Sequence, residues 1–360
     1  MSDSSCLAIA VHAAGYERHN RPVELELPST GSSIPVRLTE VDPEGSTIKD
    51  HIAFQYQPDA NGSRKLIFIL KGVTPPDTTR YFRLHLDPTG QPPDFAPQVA
   101  VSEVDSYEEQ PSFRIETENT TYYYHHFGAG FASLIDSDNN DWISYHPWGG
   151  SDGKYRGIPN AVHPEAYFHP GGTGCTSRVV YAGPLCVTLA SESNDGEWAC
   201  TWDIFPRHAR LTMLKGSRPY WFLYEGTPGG ALDETGGFCV RSTGQRTPLA
   251  ESWEEALPYP EWVYFGSANT RHVLYLVHHE ADDAIDSYWP MEGNMTVLGL
   301  GRQARGKPLD KFLTRFPAQF TIGLAENGDL AAVSTLIDSA FRPLEVQVST
   351  IQTNTQAQKG

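Results

Sequence analysis

The chain has 360 residues, a formal net charge of −17 at pH 7 and 39% hydrophobic residues, and aromatic residues make up 11% of it. This length suits one large β domain or two domains, and the hydrophobic fraction is sufficient for a sizeable core. The strong negative charge argues against nucleic acid and anionic membrane surfaces as partners, because like charges repel.

The N-terminal part of the chain predicts a series of short strands, in which apolar and polar residues alternate between turn-forming segments. The predicted strands are residues 22–28, 34–41, 51–58, 64–73 and 79–87. This spacing is typical of a small β-sandwich. A proline-rich stretch at residues 88–98 has no periodicity and predicts a linker or an edge crossing.

The remainder is also rich in predicted strands, with one helix over residues 327–343 whose apolar face carries Leu330, Val333, Leu336 and Ile337. We therefore predict an all-β protein, a large antiparallel β-sandwich of the supersandwich type with a small N-terminal β-sandwich domain. The predicted boundaries are 1–95 for the small domain, 96–349 for the large catalytic domain and 350–360 for a flexible tail.

The segment DSDNND, residues 136–141, predicts a hairpin turn between two strands. It also has the acidic spacing that begins a calcium-binding loop. However, it lacks the glycine and the glutamate which that loop requires at its sixth and twelfth positions. The turn is therefore the favoured interpretation.

Three features predict a cytoplasmic protein. No apolar run is long enough to cross a bilayer, and the N-terminus lacks the basic start and apolar core of a signal peptide. The five cysteines are an odd number without a CxxC pair, which favours free thiols.

The segment after residue 144 contains three His-Pro pairs, at His146-Pro147, His163-Pro164 and His169-Pro170. Proline removes a backbone donor and holds the residue before it in an extended conformation. We therefore expect residues 147–174 to form a long ordered loop outside any regular ladder. Loops of this length in compact domains are usually functional.

The side chains of this loop have the chemistry of a site. Histidine acts as an acid, a base or a metal ligand near neutral pH, arginine binds a carboxylate through a bidentate fork, and aromatic rings stack on sugars. A second segment, residues 272–294, places His278 and Glu280 on one strand face and His279 on the other. The predicted catalytic residues are Tyr145, His146, Arg156, His163, His169 and His278, and the predicted substrate-binding residues are Trp148, Glu165, Tyr167, Tyr224 and Glu280.

Two alternatives compete with this interpretation. In the first, the histidines only bond loop carbonyls and the aromatic side chains only fill the core. In the second, three imidazoles and a carboxylate bind zinc, although no HExxH motif is present. We predict no metal and no cofactor, with a divalent cation as the alternative. The sequence also contains no GxSxG, Walker or Rossmann motif.

The runs GFASLIDSDNNDWISYH, YRGIPN and FHPGG are similar to a block in microbial proteins found among glycan-degrading enzymes. Over residues 110–345 the predicted architecture resembles β-sandwich carbohydrate-active enzymes, that is, polysaccharide lyases and galactose-mutarotase-like proteins. This resemblance implies an oligosaccharide or polysaccharide substrate. For a lyase it implies β-elimination from a uronate, with a histidine among His146, His163 and His169 as base, Tyr145 as acid and Arg156 at the carboxylate.

Two other functions remain open. One is a glycoside hydrolase on the same fold, with paired carboxylates chosen from Glu165, Asp203, Glu225 and Glu280. The other is a protein that binds glycans through its aromatic residues and has no catalytic activity.

Overall fold

The computed structural model describes residues 5–28, 33–58, 63–147, 156–162, 165, 167–291, 293–303 and 310–351. Over these residues the protein is built from antiparallel β-sheets, which confirms the predicted all-β sandwich class. The first eleven strands are β1 (Ser5–His12), β2 (Arg18–Glu26), β3 (Ile34–Val41), β4 (Thr47–Lys49), β5 (Phe54–Pro58), β6 (Arg64–Thr74), β7 (Thr79–Asp87), β8 (Val99–Tyr107), β9 (Gln110–Thr117), β10 (Thr120–His125) and β11 (Gly130–Asp136).

The remaining elements follow the loop that the sequence singles out. The strands are β12 (Cys175–Ala182), β13 (Val187–Ser193), β14 (Ala199–Ile204), β15 (His208–Lys215), β16 (Phe222–Gly226), β17 (Gly237–Arg241), β18 (Arg246–Pro248), β19 (Trp253–Glu255), β20 (Glu261–Ser267), β21 (His272–His278), β22 (Asp286–Met291), β23 (Met295–Leu300), β24 (Ala318–Glu326) and β25 (Glu345–Ile351). A helix, α1 (Leu330–Phe341), precedes the last strand, and a short 3₁₀ turn covers Pro228–Gly230.

The chain divides into two compact units, the first comprising residues 1–97, 183–185 and 338–360. In this unit a five-stranded sheet runs in the order β25-β1-β7-β3-β4, and a three-stranded sheet runs in the order β2-β6-β5. Alternate apolar side chains of both sheets, such as Leu7, Phe68 and Leu84, form one buried core. The predicted boundaries assign residues 345–349 to the larger domain and residues 350–351 to the tail, and the strand Glu345–Ile351 pairs with β1 along its whole length.

The second unit comprises residues 98–182 and 186–337. A nine-stranded sheet runs in the order β12-β13-β14-β15-β24-β21-β20-β17-β18, and two four-stranded sheets run β11-β10-β9-β8 and β16-β23-β22-β19. All three sheets contribute to one aromatic-rich core that contains Trp142, Trp202 and Phe320. The architecture therefore places the functional candidates around a wide antiparallel sheet with two smaller sheets.

The predicted helix is present, but its buried face differs from the expected one. Val333 and Ile337 are fully buried as predicted, and Phe341 is also buried. Leu336 is half-buried, whereas Leu330 is exposed. Leu330 is the first residue of α1, where the helix has no preceding turn to hold its side chain against the core.

Three smaller predictions are also answered. No strand lies between Asp87 and Val99, in agreement with the predicted linker. All five cysteines are buried free thiols. In the described part of the chain, no helix combines the length and the apolar character needed to cross a bilayer.

Candidate active site

Part of the predicted loop pairs with β16, which corrects the expectation that it joins no ladder. Gly157 and Glu225 exchange two backbone hydrogen bonds of 2.7 and 3.0 Å, and the amide of Leu223 donates to the carbonyl of Pro159 at 2.7 Å. Proline removes only its own donor, so its carbonyl remains free to pair. The paired segment places Asn160 beside the side chain of Glu225.

Arg156, the predicted carboxylate clamp, is bonded to backbone carbonyls. Its Nη1 donates to the carbonyl of Ser144 at 2.9 Å and its Nη2 donates to the carbonyl of Asn294 at 3.0 Å. Burial lowers the pKa of Arg156 from its usual value. Both terminal nitrogens of the guanidinium therefore connect two loops, while its Nε has no hydrogen-bond partner.

His169 and Tyr145 are both buried. The ring of His169 lies between two carbonyls, with Nδ1 2.7 Å from the oxygen of Pro170 and Nε2 3.2 Å from the oxygen of Glu165. The ring of Tyr145 packs edge-on against His125, with ring centroids 5.3 Å apart. These contacts match the alternative interpretation, in which loop histidines bond carbonyls.

The other predicted loop residues lie in different places. His146 is half exposed, with Nδ1 3.4 Å from a carboxylate oxygen of Glu108. Arg218 Nη2 donates both to Glu165 Oε1 at 2.5 Å and to the hydroxyl of Tyr167 at 3.0 Å. His163 and Trp148 lie outside the described residues.

Tyr224, a predicted sugar-binding residue, is fully buried. Its hydroxyl donates to the carbonyl of Trp142 at 2.6 Å. Its ring packs edge-on against Phe265, with ring centroids 5.2 Å apart. Tyr224 therefore contributes to the core and presents no surface to a ligand.

The structure brings two predicted residues, His278 and Glu280, into one cluster with two further carboxylates. His278 is 2% exposed, and its ring stacks on Phe320 with centroids 4.7 Å apart. Its Nδ1 donates to Glu261 Oε2 at 2.6 Å, and its Nε2 lies 3.3 Å from Glu280 Oε2. A carboxylate oxygen of Asp282 lies 3.6 Å from Nδ1.

The electrostatics of this cluster favour a protonated imidazole. Burial alone would lower the pKa of His278, but the hydrogen bonds to Glu261 and Glu280 outweigh it and raise the pKa to about 9. Burial would raise the pKa of Glu280, but the bond with His278 and the amide of Gln319 hold it below its usual value. At neutral pH the site is therefore an imidazolium between carboxylates.

A cavity of about 360 Å³ opens beside the cluster, and its walls include His278, Glu280 and Asp282. Asp282 and Glu280 differ in access, since their side chains are 32% and 14% exposed. The rim of the cavity carries an exposed aromatic ring, Phe312, and an exposed cation, Arg315. This volume is within the range of small-molecule sites.

The cluster contains side chains that can bind a metal ion, but the protonated state of His278 opposes metal binding. Ligand atoms of Glu261, His278 and Asp282 lie within 4.8 Å of one another. Metal ions bind neutral imidazole, whereas the raised pKa of His278 keeps a proton on both ring nitrogens near neutral pH.

A second group of potential ligands, Asp136, Asp138 and His272, lies at the predicted hairpin turn. The carboxylate of Asp136 accepts hydrogen bonds from the amides of Asp138 and Asn140 and from the indole of Trp142. Asp138 forms a two-pronged ion pair with Arg271. These hydrogen bonds and this ion pair show that Asp136 and Asp138 of DSDNND stabilise the turn.

Glu261 and Asp282 are the site residues that the sequence did not single out. Glu261 opens β20 and faces His278 directly in the antiparallel register of β20 and β21. The signal was present in the sequence as a charged residue at the start of the apolar run EWVYFGS. Its significance depends on the strand pairing, which periodicity alone does not define.

Comparison with known proteins supports the fold. No protein-family model matches the chain, and no curated protein matches it. A protein in glycosyl hydrolase family 38 from Enterococcus faecalis superposes with a TM-score of 0.51 at 9% identity, over 97% of this chain and 47% of that one. An α-mannosidase from Enterococcus faecalis V583 gives a TM-score of 0.50 at 10% identity, over 97% and 46% of the two chains.

A galactose mutarotase related enzyme from Lactobacillus acidophilus covers 61% of this chain and 98% of its own, with a TM-score of 0.42 and 9% identity. The chain thus spans about half the length of the first two structures, which it matches over nearly all of its own length. At 9% and 10% identity, the likeness to the first two structures shows that the β-sandwich fold is shared.

Proposed function

We propose that this protein is a carbohydrate-active enzyme and that its catalytic centre is the pocket at His278. The observation that carries the proposal is the imidazolium of His278, held between Glu261 and Glu280 at the wall of a cavity of about 360 Å³. The fold supports it, because solved structures with this sandwich include a glycosyl hydrolase family 38 protein and an α-mannosidase.

The lining of the pocket suits a sugar. Carboxylates such as Asp282 and Asp283 accept hydrogen bonds from sugar hydroxyls, and the exposed ring of Phe312 offers a flat apolar surface to a sugar face. The carboxylates outnumber the cation Arg315, so a neutral sugar enters at a lower electrostatic cost than a uronate.

In the proposed chemistry, His278 is the general acid and Asp282 is the general base. The Nε2–H of His278 donates its proton to the glycosidic or ring oxygen as the bond from that oxygen to the anomeric carbon breaks. Asp282 takes the proton from the attacking water or from the anomeric hydroxyl. Glu261 holds the Nδ1–H of His278 and so fixes the orientation of the ring.

The competing carboxylates are less suited to this role. Asp203 is bound by Arg210 and Thr188, Glu165 by Arg218, and Glu225 by Asn160. Among the carboxylates considered from the sequence, Glu280 lines the described cavity. Hydrolysis of a glycoside, or interconversion of the anomers of a free sugar, is therefore the favoured reaction class.

β-Elimination from a uronate is the second candidate. It requires a cation at the substrate carboxylate, and Arg315 at the rim of this pocket is placed for that role, whereas Arg156 is bonded to carbonyls. The cost of placing a uronate beside Glu280 and Asp282 makes this candidate the weaker one.

A panel of neutral and uronate-containing oligosaccharides and free sugars tests the proposal. Reducing ends, ultraviolet absorbance of an unsaturated product, and optical rotation of freshly dissolved sugars are followed together. We expect new reducing ends or faster change in optical rotation without absorbance, and we expect His278→Gln to lower that rate about 100-fold. A rise in absorbance would select elimination. No change in any signal would overturn the proposal.

A further inference from the structure

A buried arginine, Arg302, has two guanidinium nitrogens without a hydrogen-bond partner. It is 3% exposed, and neither its Nε nor its Nη1 has a partner. Its guanidinium carbon lies 4.2 Å from the ring centroid of Trp289 and 5.4 Å from that of Trp221. Buried donors without partners are rare in proteins, because each costs its full desolvation energy.

Other buried arginines in the described part of the chain differ in degree: the Nε of Arg241 also lacks a partner, but its terminal nitrogens donate hydrogen bonds. Arg241 also lies over an indole, that of Trp253 at 4.9 Å, and it donates to Glu255 at 2.7 Å and to Thr247 at 2.9 Å. Arg18 donates to backbone carbonyls, including that of Pro343 at 2.7 Å. Packing against an indole therefore does not by itself explain why two guanidinium nitrogens of Arg302 lack hydrogen-bond partners.

The backbone makes room for this side chain. A Cβ added at Gly299 would lie 2.4 Å from Cδ and 2.6 Å from Cβ of Arg302, much closer than real side chains approach. Gly299 lies in β23, between Leu223 and Ser287 of the neighbouring strands. A strand interior favours a residue other than glycine, so the glycine marks a place where the stem of Arg302 crosses the sheet.

Positive charge is in excess around Arg302, although the whole chain carries a net charge of −17. Lys311 lies over the same indole, that of Trp221, at 4.8 Å, and its nearest carboxylate oxygen, on Glu165, is 3.9 Å away. Glu165 is already paired with Arg218. Glu225 is the carboxyl group that attracts Arg302 electrostatically, but burial raises the pKa of Glu225 to about 8, so that it carries little negative charge at neutral pH.

We infer that Arg302 anchors a second binding site, which takes the carboxylate of a small organic acid of the sugar-acid type. The two indoles pack against the guanidinium and favour approach to its edge, where its N–H groups match the two oxygens of a planar carboxylate. Trp221 and Trp289 supply the apolar surface for the rest of the ligand. The inference does not depend on the reaction proposed for the His278 pocket.

The melting temperature of the whole chain, measured with added ligand, tests this site. The probes are sodium glucuronate, methyl glucoside and glucose 6-phosphate at equal ionic strength. We expect glucuronate to raise the melting temperature in proportion to the logarithm of its concentration above the dissociation constant. Methyl glucoside lacks the carboxylate, so we expect it to cause no shift that depends on Arg302. The shift should disappear in Arg302→Met and persist in the matched variant Arg241→Met.

Each other outcome contradicts the inference. No shift with glucuronate at any concentration, or a shift retained in Arg302→Met, would overturn it. An equal or larger shift with glucose 6-phosphate would mean that the site binds a phosphate in preference to a carboxylate, which also contradicts the inference. Should Arg302→Met fail to fold, the Nε–H resonance of Arg302 in the wild-type protein gives the same answer, because it must move on addition of glucuronate. A resonance that stays in place would also contradict the site.

Discussion

His278 and Glu261 face each other across the β20–β21 ladder, with Nδ1 of the histidine 2.6 Å from Oε2 of the glutamate. Both side chains are almost fully buried. Such a pair offsets its desolvation only when both partners are present and the remaining donors and acceptors are satisfied. Glu280, on the other ring nitrogen, provides that additional interaction.

Replacing Glu261 with glutamine should lower the pKa of His278 from about 9 towards the ordinary value of 6.5. Glutamine retains an acceptor for Nδ1–H but removes the negative charge that stabilises the imidazolium. The imidazole carbon and nitrogen resonances of His278, followed over pH by NMR, measure the change. We also expect the free energy of unfolding at pH 7 to fall by about 3 kcal/mol.

The control is His279→Gln, which changes the neighbouring histidine. His279 Nε2 bonds to the hydroxyl of Thr321 at 2.8 Å and belongs to the opposite face of the chain. This variant should leave the titration of His278 unchanged. A pKa of His278 that stays near 9 in Glu261→Gln would show that Glu261 is not the source of the shift.

The stability of the protein should fall between pH 6.5 and pH 9. The pKa of His278 is raised in the folded state, so the folded protein holds a proton that the unfolded chain releases above its own pKa of 6.5. The stabilisation is fully present below pH 6.5 and is lost as the pH rises through 9, with a total of about 3 kcal/mol. Urea unfolding at intervals across this range measures it.

Glu225 also makes the stability fall as the pH rises, but over a lower pH range. Burial raises its pKa from 4.5 to about 8, so its contribution falls from pH 4.5 and is lost through pH 8. The variant His278→Gln should flatten the pH dependence between pH 6.5 and 9, and Glu225→Gln should flatten it between pH 4.5 and 8. Stability that rises from pH 7 to pH 9 in the wild type would contradict both assignments.

Gly299→Ala should destabilise the protein through its contact with Arg302. The new methyl group would lie 2.4 Å from Cδ of Arg302, which forces the arginine stem or the strand to move. Overpacking of this kind costs about 2 kcal/mol. In the background Arg302→Ala the clash with Cδ is removed, whereas those with Cβ of residue 302 at 2.6 Å and with Cδ2 of Leu223 at 2.9 Å remain. The same change should therefore cost less but still destabilise, and a double-mutant cycle by urea unfolding measures the coupling.

Gly328→Ala is the control for the glycine change itself. A Cβ there would meet its nearest neighbour at an ordinary contact distance of 3.5 Å. It should alter the free energy of unfolding by less than about 1 kcal/mol. Equal costs for Gly299→Ala in both backgrounds would mean that the glycine does not serve Arg302.

Local patterns in the sequence predicted many strands of the first unit. The alternation in residues 34–41, 64–73 and 79–87 corresponds closely to the strands Ile34–Val41, Arg64–Thr74 and Thr79–Asp87. Alternation is a property of neighbouring residues, and burial on one sheet face requires it. The pairing of β25 with β1 joins opposite ends of the chain, and no local pattern encodes it.

The same limit applies to the site. His278 and Glu280 were found because they share one strand face, but Glu261 enters only through the register of the next strand. No sequence motif points to Arg302, because what distinguishes it is that Nε and Nη1 have no hydrogen-bond partner in the folded chain. The His-Pro pairs predict a site built on the histidines of the loop. In the described part of the loop, Asn160 donates a hydrogen bond to the buried carboxyl group of Glu225.

Asp136→Ala should cost far more stability than Asp138→Ala. The side chain of Asp136 is fully buried and accepts from the amides of Asp138 and Asn140 and from the indole of Trp142. Removing it leaves buried donors without partners, at a cost of about 3 kcal/mol. Asp138 forms an exposed pair with Arg271, worth less than about 1 kcal/mol. Urea unfolding of both variants checks the order, and equal costs would contradict the role of Asp136.

We propose that His278 is the general acid of a carbohydrate-active site. The most direct measurement compares kcat/KM of His278→Gln with that of His279→Gln on the carbohydrate that the wild type converts fastest, with melting temperatures recorded alongside. We predict a fall of about 100-fold or more for His278→Gln in folded protein and less than about twofold for His279→Gln. Equal kcat/KM for the two folded variants, or no carbohydrate converted by the wild type, would contradict the role of His278 as general acid.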